Sequence, residues 1–155
     1  MKALVYTGVQ ELKYREEEKP KNILGESIVK VHASGICGSD MHAYHGKDER
    51  RKPPLILGHE VCGIILNGKL KDKNVVLNPL ISCTKCEYCK SNREHLCPDR
   101  SMVGMSEPFQ REGGLAEYIS IPDNNIHLIS ENLDTKEAAL TEPTAVAIHS
   151  VLLAE

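Results

Sequence analysis

No stretch of this sequence approaches the ~20 consecutive apolar residues that span a bilayer, and the N-terminal MKALVYTGVQELKY is too briefly apolar for a secretory signal. A membrane partner is therefore excluded, and a soluble, cytoplasmic protein is expected. Positive charge is also short: 19 Lys and Arg stand against 22 Asp and Glu, for a formal net charge of -3. With no dense basic patch, nucleic acid is not an expected partner. None of the 11 glycines lies two residues from another. The GxGxxG fingerprint that cradles a dinucleotide is thereby ruled out within these 155 residues. Internal repeats, low-complexity segments and domain-length linkers are missing as well. A single domain with one ordinary core suits the length and the 41% hydrophobic content.

What is present reads first as short strands broken by Gly and Pro. Met1 to Tyr6, Glu11 to Tyr14, Ile28 to Ala33, Glu60 to Leu66 and Asn74 to Leu77 are brief and rich in β-branched residues. Leu115 to Ile121 and Ile126 to Ile129 resume the pattern, the first after a Gly113-Gly114 turn. Such a set, with almost no early helix, predicts a mainly β fold, a small and partly open β-barrel. Helix is expected late. Asp134 with Glu137 forms a candidate capping box for a short helix through Leu140. A second helix is expected to start at Pro143, with Ala145, Val146, Ile148, Val151 and Leu152 at helical spacing.

Six cysteines in a chain of this character point to metal or catalysis more than to disulfides. Cys83, Cys86, Cys89 and Cys97 follow CxxCxxC with a fourth member eight residues on, a spacing that lets a folded-back loop converge its thiolates on one tetrahedral zinc. Their neighbours Thr84, Lys85, Glu87, Tyr88, Lys90, Ser91 and Asn92 are too polar for a core. His95 is an alternative fourth ligand to Cys97. A closed four-thiolate site has no open position, so its role is structural. Cys62, between Val61 and Gly63-Ile64, reads as a buried strand cysteine.

Cys37 sits in GICGSDMH, and His59 with Glu60 in LILGHEVCG, each at a glycine-marked turn beside a predicted strand. Alone, such a cysteine is more often a small packing residue and such a histidine more often a satisfied side chain. Together they resemble an open metal site. GICGSD, PLILGHE, CxxCxxC with its fourth cysteine, GGLAEY and TEPTAVAIH occur in an order that resembles the zinc-dependent medium-chain dehydrogenases, along essentially the whole chain. The Glu142-Pro143 step is most similar to the polyol and aldonate branch, such as sorbitol, galactitol-phosphate and idonate dehydrogenases.

That resemblance implies a GroES-like partly open β-barrel with a zinc-binding lobe and short C-terminal helices. It implies a GroES-like catalytic domain over 1–141, with the structural zinc lobe at 80–100. Residues 142–155 would begin the helix leading to a nucleotide-binding domain that lies outside this sequence. Two zinc ions per chain are expected, with NAD or NADP only in a full-length form. Cys37 and His59 resemble catalytic-zinc ligands, and Glu60 and Glu142 carboxylates that bind the metal directly or through water. Glu142 is expected just before a helix, where the macrodipole favours a charged carboxylate. Asp40 resembles the acid that orients the ligand histidine through its other ring nitrogen. Ser39 resembles the hydroxyl that takes the alcohol proton, and His42 the imidazole that passes it to solvent. His32, His45, His127 and His149 match no role.

The implied reaction interconverts a secondary alcohol, a polyol or sugar acid, and a ketone. Zinc assists by stabilising negative charge on the alcohol oxygen. Small alcohols or polyols are the implied partners, and a full-length form is expected to be a homo-oligomer. Three departures stand out: a short Ile64 to Val76 segment, Thr84 where the family usually has glycine, and Ala43 where polyol enzymes often carry a tyrosine, with Tyr44 beside it. The rival reading is a non-enzymatic zinc-stabilised β module that holds only the structural ion.

Overall fold

In the computed structural model, residues 1–154 are described. Strands β1 (Lys2–Gly8), β2 (Glu11–Glu16) and β3 (Glu26–Gly35) come first. Helix α1 (Gly38–Tyr44) and strands β4 (Leu55–Ile56), β5 (Glu60–Ile65) and β6 (Asn74–Leu77) follow. A side loop carries β7 (Leu80–Ile81), the one-turn helix α2 (Glu87–Lys90) and β8 (Ser101–Met102). The chain closes with β9 (Tyr118–Pro122), β10 (Ile126–Leu128), α3 (Thr135–Ala138) and α4 (Thr141–Leu152).

A curled five-stranded antiparallel sheet, in the order β10-β6-β5-β3-β9, forms most of a half-barrel. A smaller sheet, β2-β1-β4, continues it, joined through Glu117, whose N–H donates to Lys2 O of β1 (3.0 Å) and whose carbonyl accepts from Val31 N–H of β3 (2.9 Å). This is the mainly β, partly open barrel expected from the strand pattern. The core lies inside the curl, where Val29, Val61, Ile65, Val75, Leu77, Val103, Ile119 and Ile121 pack together. The alternation of buried and half-exposed residues along Tyr118–Pro122 is the two-residue strand period with one face on that core. β5 is buried along nearly its whole length, which suits the centre of the sheet. Among the described residues no helix is long and apolar enough to cross a membrane.

Four local differences from the sequence reading have physical causes. The three two-residue strands β4, β7 and β8 are too short to show any period. Helix α1 was not anticipated: seven residues with two buried, Asp40 and Ala43, give no apolar repeat. Its start is set by the Asp40 carboxylate, which accepts a hydrogen bond from Cys37 N–H at 3.0 Å. At α3, Asp134 caps by accepting from Lys136 N–H (2.8 Å), so the cap is present without Glu137's return bond among the described residues. Finally, α4 begins at Thr141, two residues before Pro143. Pro143 still lies in the first turn, where amide hydrogens have no helical partner, so the ring costs nothing there. Glu142 is consequently inside the first turn and not ahead of it, which keeps the favourable end of the helix dipole.

Candidate metal centres

The first cluster is assembled by strand register. β3 and β5 pair antiparallel with Gly35 opposite Glu60, so the chain leaving β3 towards Cys37 runs alongside the residues entering β5. The glycine is required by close approach. A Cβ at position 35 would lie 1.9 Å from Glu60 Oε2. Just before β5, Gly58 takes φ +92°, and a Cβ there would also press on Leu115 Cγ at 2.8 Å. The two glycines of the sequence motifs thus let Cys37, His59 and Glu60 meet, with one donor atom from each lying within 4.8 Å of the others.

Behind this cluster, Asp40 is buried and fully engaged. One carboxylate oxygen takes Cys37 N–H, and the other takes Gly58 N–H at 3.3 Å and faces His59 Nδ1 at 3.6 Å. His59 Nδ1 is buried without a hydrogen-bond partner. A ring whose Nδ1–H faces a carboxylate has its other nitrogen free for a metal, so this orphan atom fits the outer half of a histidine ligand. Electrostatics agree. Burial opposes charge on His59 and is the largest single influence, but the facing carboxylate of Asp40, then Cys37, together raise its pKa. Burial likewise opposes ionisation of Cys37, yet Ser39 and His59 bring its thiol below the ordinary value. Asp40 is lowered against its own burial by His59 and the two backbone amides.

Glu142 is half-buried on α4 and outside the group whose donor atoms lie within 4.8 Å. It still feels the site: burial raises its carboxyl pKa, His59 opposes that, and Glu60 adds to it. Ser39 and His42 follow Cys37 on α1. The Ser39 hydroxyl accepts a hydrogen bond from Arg51 Nη2 at 3.2 Å, while His42 is exposed. Sequence reasoning gave Arg51 no role: it stands in the charged run KDERRK, which carries no local sign of burial. Its side chain is 1% exposed. A cavity of about 460 Å³ lined by Val5, Ile23, Leu55 and Ile119 contains none of these site residues.

The second cluster is local. Cys83, Cys86, Cys89 and Cys97 converge with all four sulfurs within 4.8 Å of one another, and His95 is exposed and outside the group. Cys86 and Cys89 sulfurs are 3.4 Å apart, and Cys83 and Cys89 3.9 Å. Backbone N–H groups of Lys85 and Cys86 hold the Cys83 thiol down to about 6. The Cys89 amide lowers Cys86, but loss of water and the neighbouring sulfurs override it and push that thiol up to about 11. Four thiols this close cannot all ionise without a cation between them, so the donor set fits zinc. Thr84 is forced to φ +60°, the region where glycine is at home, and its hydroxyl donates to Cys83 O at 2.7 Å. A threonine in this conformation is strained, and the loop nonetheless closes.

A curled half-barrel with a donor cluster at its central strand and a thiol lobe at its side defines the GroES-like domain of the medium-chain alcohol and polyol dehydrogenases. Residues 24–131 match the family model described as alcohol dehydrogenase GroES-like domain, and the chain belongs to that family. It is 36% identical over 157 residues to L-galactonate-5-dehydrogenase of Escherichia coli K12, covering 97% of this chain and 45% of that protein. The crystal structure of E. coli galactitol-1-phosphate dehydrogenase superposes with a TM-score of 0.90 at 28% identity, over 99% of this chain and 45% of that one. An E. coli CFT073 protein described as a short chain alcohol dehydrogenase, crystallised with NADH, superposes at 0.86 with 31% identity, over 96% and 44%. The chain thus spans somewhat less than half the length of these relatives.

Proposed function

We propose that this chain is the zinc-bearing catalytic domain of a dehydrogenase that interconverts a secondary alcohol, a polyol or sugar acid, and its ketone with a nicotinamide cofactor. The observation that carries the reading is the convergence of Cys37, His59 and Glu60 with Asp40 behind the imidazole. Cys37 and His59 would hold the catalytic ion, with Glu60 and Glu142 adding carboxylates directly or through water. Cys83, Cys86, Cys89 and Cys97 would hold a second, structural ion. When bound in the cleft, zinc supplies Lewis acidity that stabilises negative charge on the alcohol oxygen.

The chain's own residues do the rest. Asp40, facing Nδ1 at 3.6 Å, would favour the His59 tautomer that carries its proton there and leaves the other ring nitrogen for the metal. Ser39 Oγ takes the proton of the substrate hydroxyl, and exposed His42 returns it to solvent. The hydride acceptor would be NAD or NADP on a nucleotide-binding domain for which residues 142–155 form the lead-in, 1–141 being the catalytic domain. Relatives named for a galactonate and a galactitol phosphate support a polyhydroxylated substrate, and the NADH-bound neighbour supports the cofactor class. A cytoplasmic homo-oligomer is the proposed full-length form.

Metal stoichiometry tests the reading. Two zinc ions per chain are expected by elemental analysis, one of them lost on Cys37→Ser with the other retained. A single ion insensitive to Cys37→Ser would reject the catalytic assignment and leave a zinc-stabilised β module.

A further inference from the structure

The cavity of about 460 Å³ that lies apart from both metal clusters has a floor and walls of different chemistry. Val5, Ile56 and Ile119 form the floor, each of them buried and apolar. The polar walls are satisfied by one another. Arg111 Nη1 donates to Glu26 Oε1 and Ser120 Oγ to Glu26 Oε2, both at 2.7 Å. Glu112 accepts from Ile56 N–H at 2.7 Å and from Gln110 Nε2 at 2.8 Å. A polar small molecule needs convergent groups left free to orient it, and these are already engaged. What the space offers is apolar surface, in a volume well above the roughly 150 Å³ that takes a benzene ring. The occupant that suits it is an apolar side chain carried in from outside.

The rim carries such a side chain. One part of the rim is the strap between β2 and β3, where Ile23 is 52% exposed and Leu24 fully so. Lys19 Nζ, 4.5 Å over the Tyr118 ring of β9, ties this strap to the cavity wall. Another part is the loop between β8 and β9. It holds Phe109, the chain's only phenylalanine, 55% exposed and next to Gln110, which lines the cavity. Apolar residues gathered at a cavity mouth mark a contact surface, and an aromatic ring seated in a pocket is the usual anchor of one. Here anchor and pocket are neighbours on one face, so a two-fold axis through that face offers each ring to the other copy's cavity. The rim charges obey the same symmetry. Among the described residues Glu18 and Lys21, both at the cavity, make no ion pair or side-chain hydrogen bond, and their opposite signs allow each to meet the other across the axis.

We infer that this face is an interface between two copies of the chain, in which Phe109 of each copy enters the cavity of the other, against Ile23, Ile56 and Ile119, while Lys21 pairs with the partner's Glu18. None of the cleft or lobe donors lines the cavity, so the inference stands apart from the proposed reaction. Zinc content then serves only to show that a variant is folded.

Sedimentation equilibrium of the 155-residue chain, under reducing conditions and from micromolar to millimolar concentration, should show monomer and dimer in exchange. Because the chain has a single phenylalanine, para-fluorophenylalanine gives one fluorine resonance, which should move with concentration along the same association curve. Phe109→Ala removes the anchor and should weaken the dimer by about 30-fold or more, with zinc content unchanged. Lys21→Glu sets like charges against each other and should weaken it by about 5-fold. Adding Glu18→Lys to that variant should restore association, since the exchanged pair meets across the axis as the original does. A chain that stays monomeric over the whole range, or a dimer indifferent to Phe109→Ala, would overturn the inference. So would a fluorine resonance independent of concentration, which places the ring in its own cavity or in water. Should Phe109→Ala lose its zinc and so fail to fold, the fluorine titration of the otherwise unaltered chain decides alone.

Discussion

The two donor clusters are built on opposite principles. All four lobe thiols lie between positions 83 and 97, on a loop that folds back on itself, whereas the cleft draws Cys37 from the end of one strand and His59 and Glu60 from the start of another. The lobe is a closed set of one chemical type. The cleft mixes thiol, imidazole and carboxylate, and it is backed by Asp40 and Arg51. A local loop can be held together by its ion, while a site spread over paired strands must be held by the sheet before any ion arrives. Metal should therefore be a folding component in the lobe and a passenger on a preformed scaffold in the cleft.

The largest effect that could break this contrast is expected at the lobe. Cys89→Ser should abolish zinc there and leave residues 80–100 open to protease, with the five-stranded sheet intact by hydrogen exchange. Structural zinc in small modules contributes about 10–16 kcal/mol of apparent binding free energy, far above what the exposed loop contacts can replace. If Cys89→Ser kept the lobe as protected as in the wild type, the metal would not be its organiser. Cys37→Ser, by contrast, should leave amide protection across β3 and β5 unchanged.

Next comes Gly35→Ala, aimed at the scaffold and not at a donor. The added methyl would lie 1.9 Å from Glu60 Oε2 and 3.0 Å from Glu60 Cβ, so the glutamate must move. Overpacking of this kind costs about 1–3 kcal/mol, and the cleft should lose zinc affinity while the lobe keeps its ion. Wild-type affinity at the cleft in the variant would count against a part for Glu60 there. Asp40→Asn should come third, lowering cleft affinity by about 10- to 100-fold because the amide no longer selects the His59 tautomer. An unchanged affinity in isothermal titration would count against Asp40's orienting role.

The same contrast explains what the sequence made legible. CxxCxxC is a statement about neighbours, so the convergence of the lobe thiols could be read directly. The cleft could not. Nothing in GICGSD alone says that Gly35 will face Glu60, since that depends on a β3–β5 register with an irregularity between Val31 and Ala33. Only the joint resemblance of five motifs supplied the pairing. Arg51 was beyond reach for a different reason. Burial of an arginine in the run KDERRK is decided by Gly104, 53 positions away, and leaves no local pattern. Helix α1 was missed because its cap is made by the same Asp40 that serves the site, while its one buried apolar residue is Ala43.

The smallest expected effect sharpens the comparison most finely. Thr84 holds φ +60° in the turn that carries Cys83 and Cys86, and an L-residue there costs roughly 1–2 kcal/mol relative to glycine. Its hydroxyl recovers a part through the bond to Cys83 O. Thr84→Gly relieves the strain but frees the unfolded loop, and the two changes oppose each other. The net gain should be about 1 kcal/mol or less, up to roughly 5-fold in lobe zinc affinity by chelator competition, with the cleft ion unaffected. A gain at the cleft would mean that the two clusters communicate through the β7–β8 hairpin. A loss at the lobe would mean that the Thr84 hydroxyl contributes more to closing the loop than its backbone strain removes.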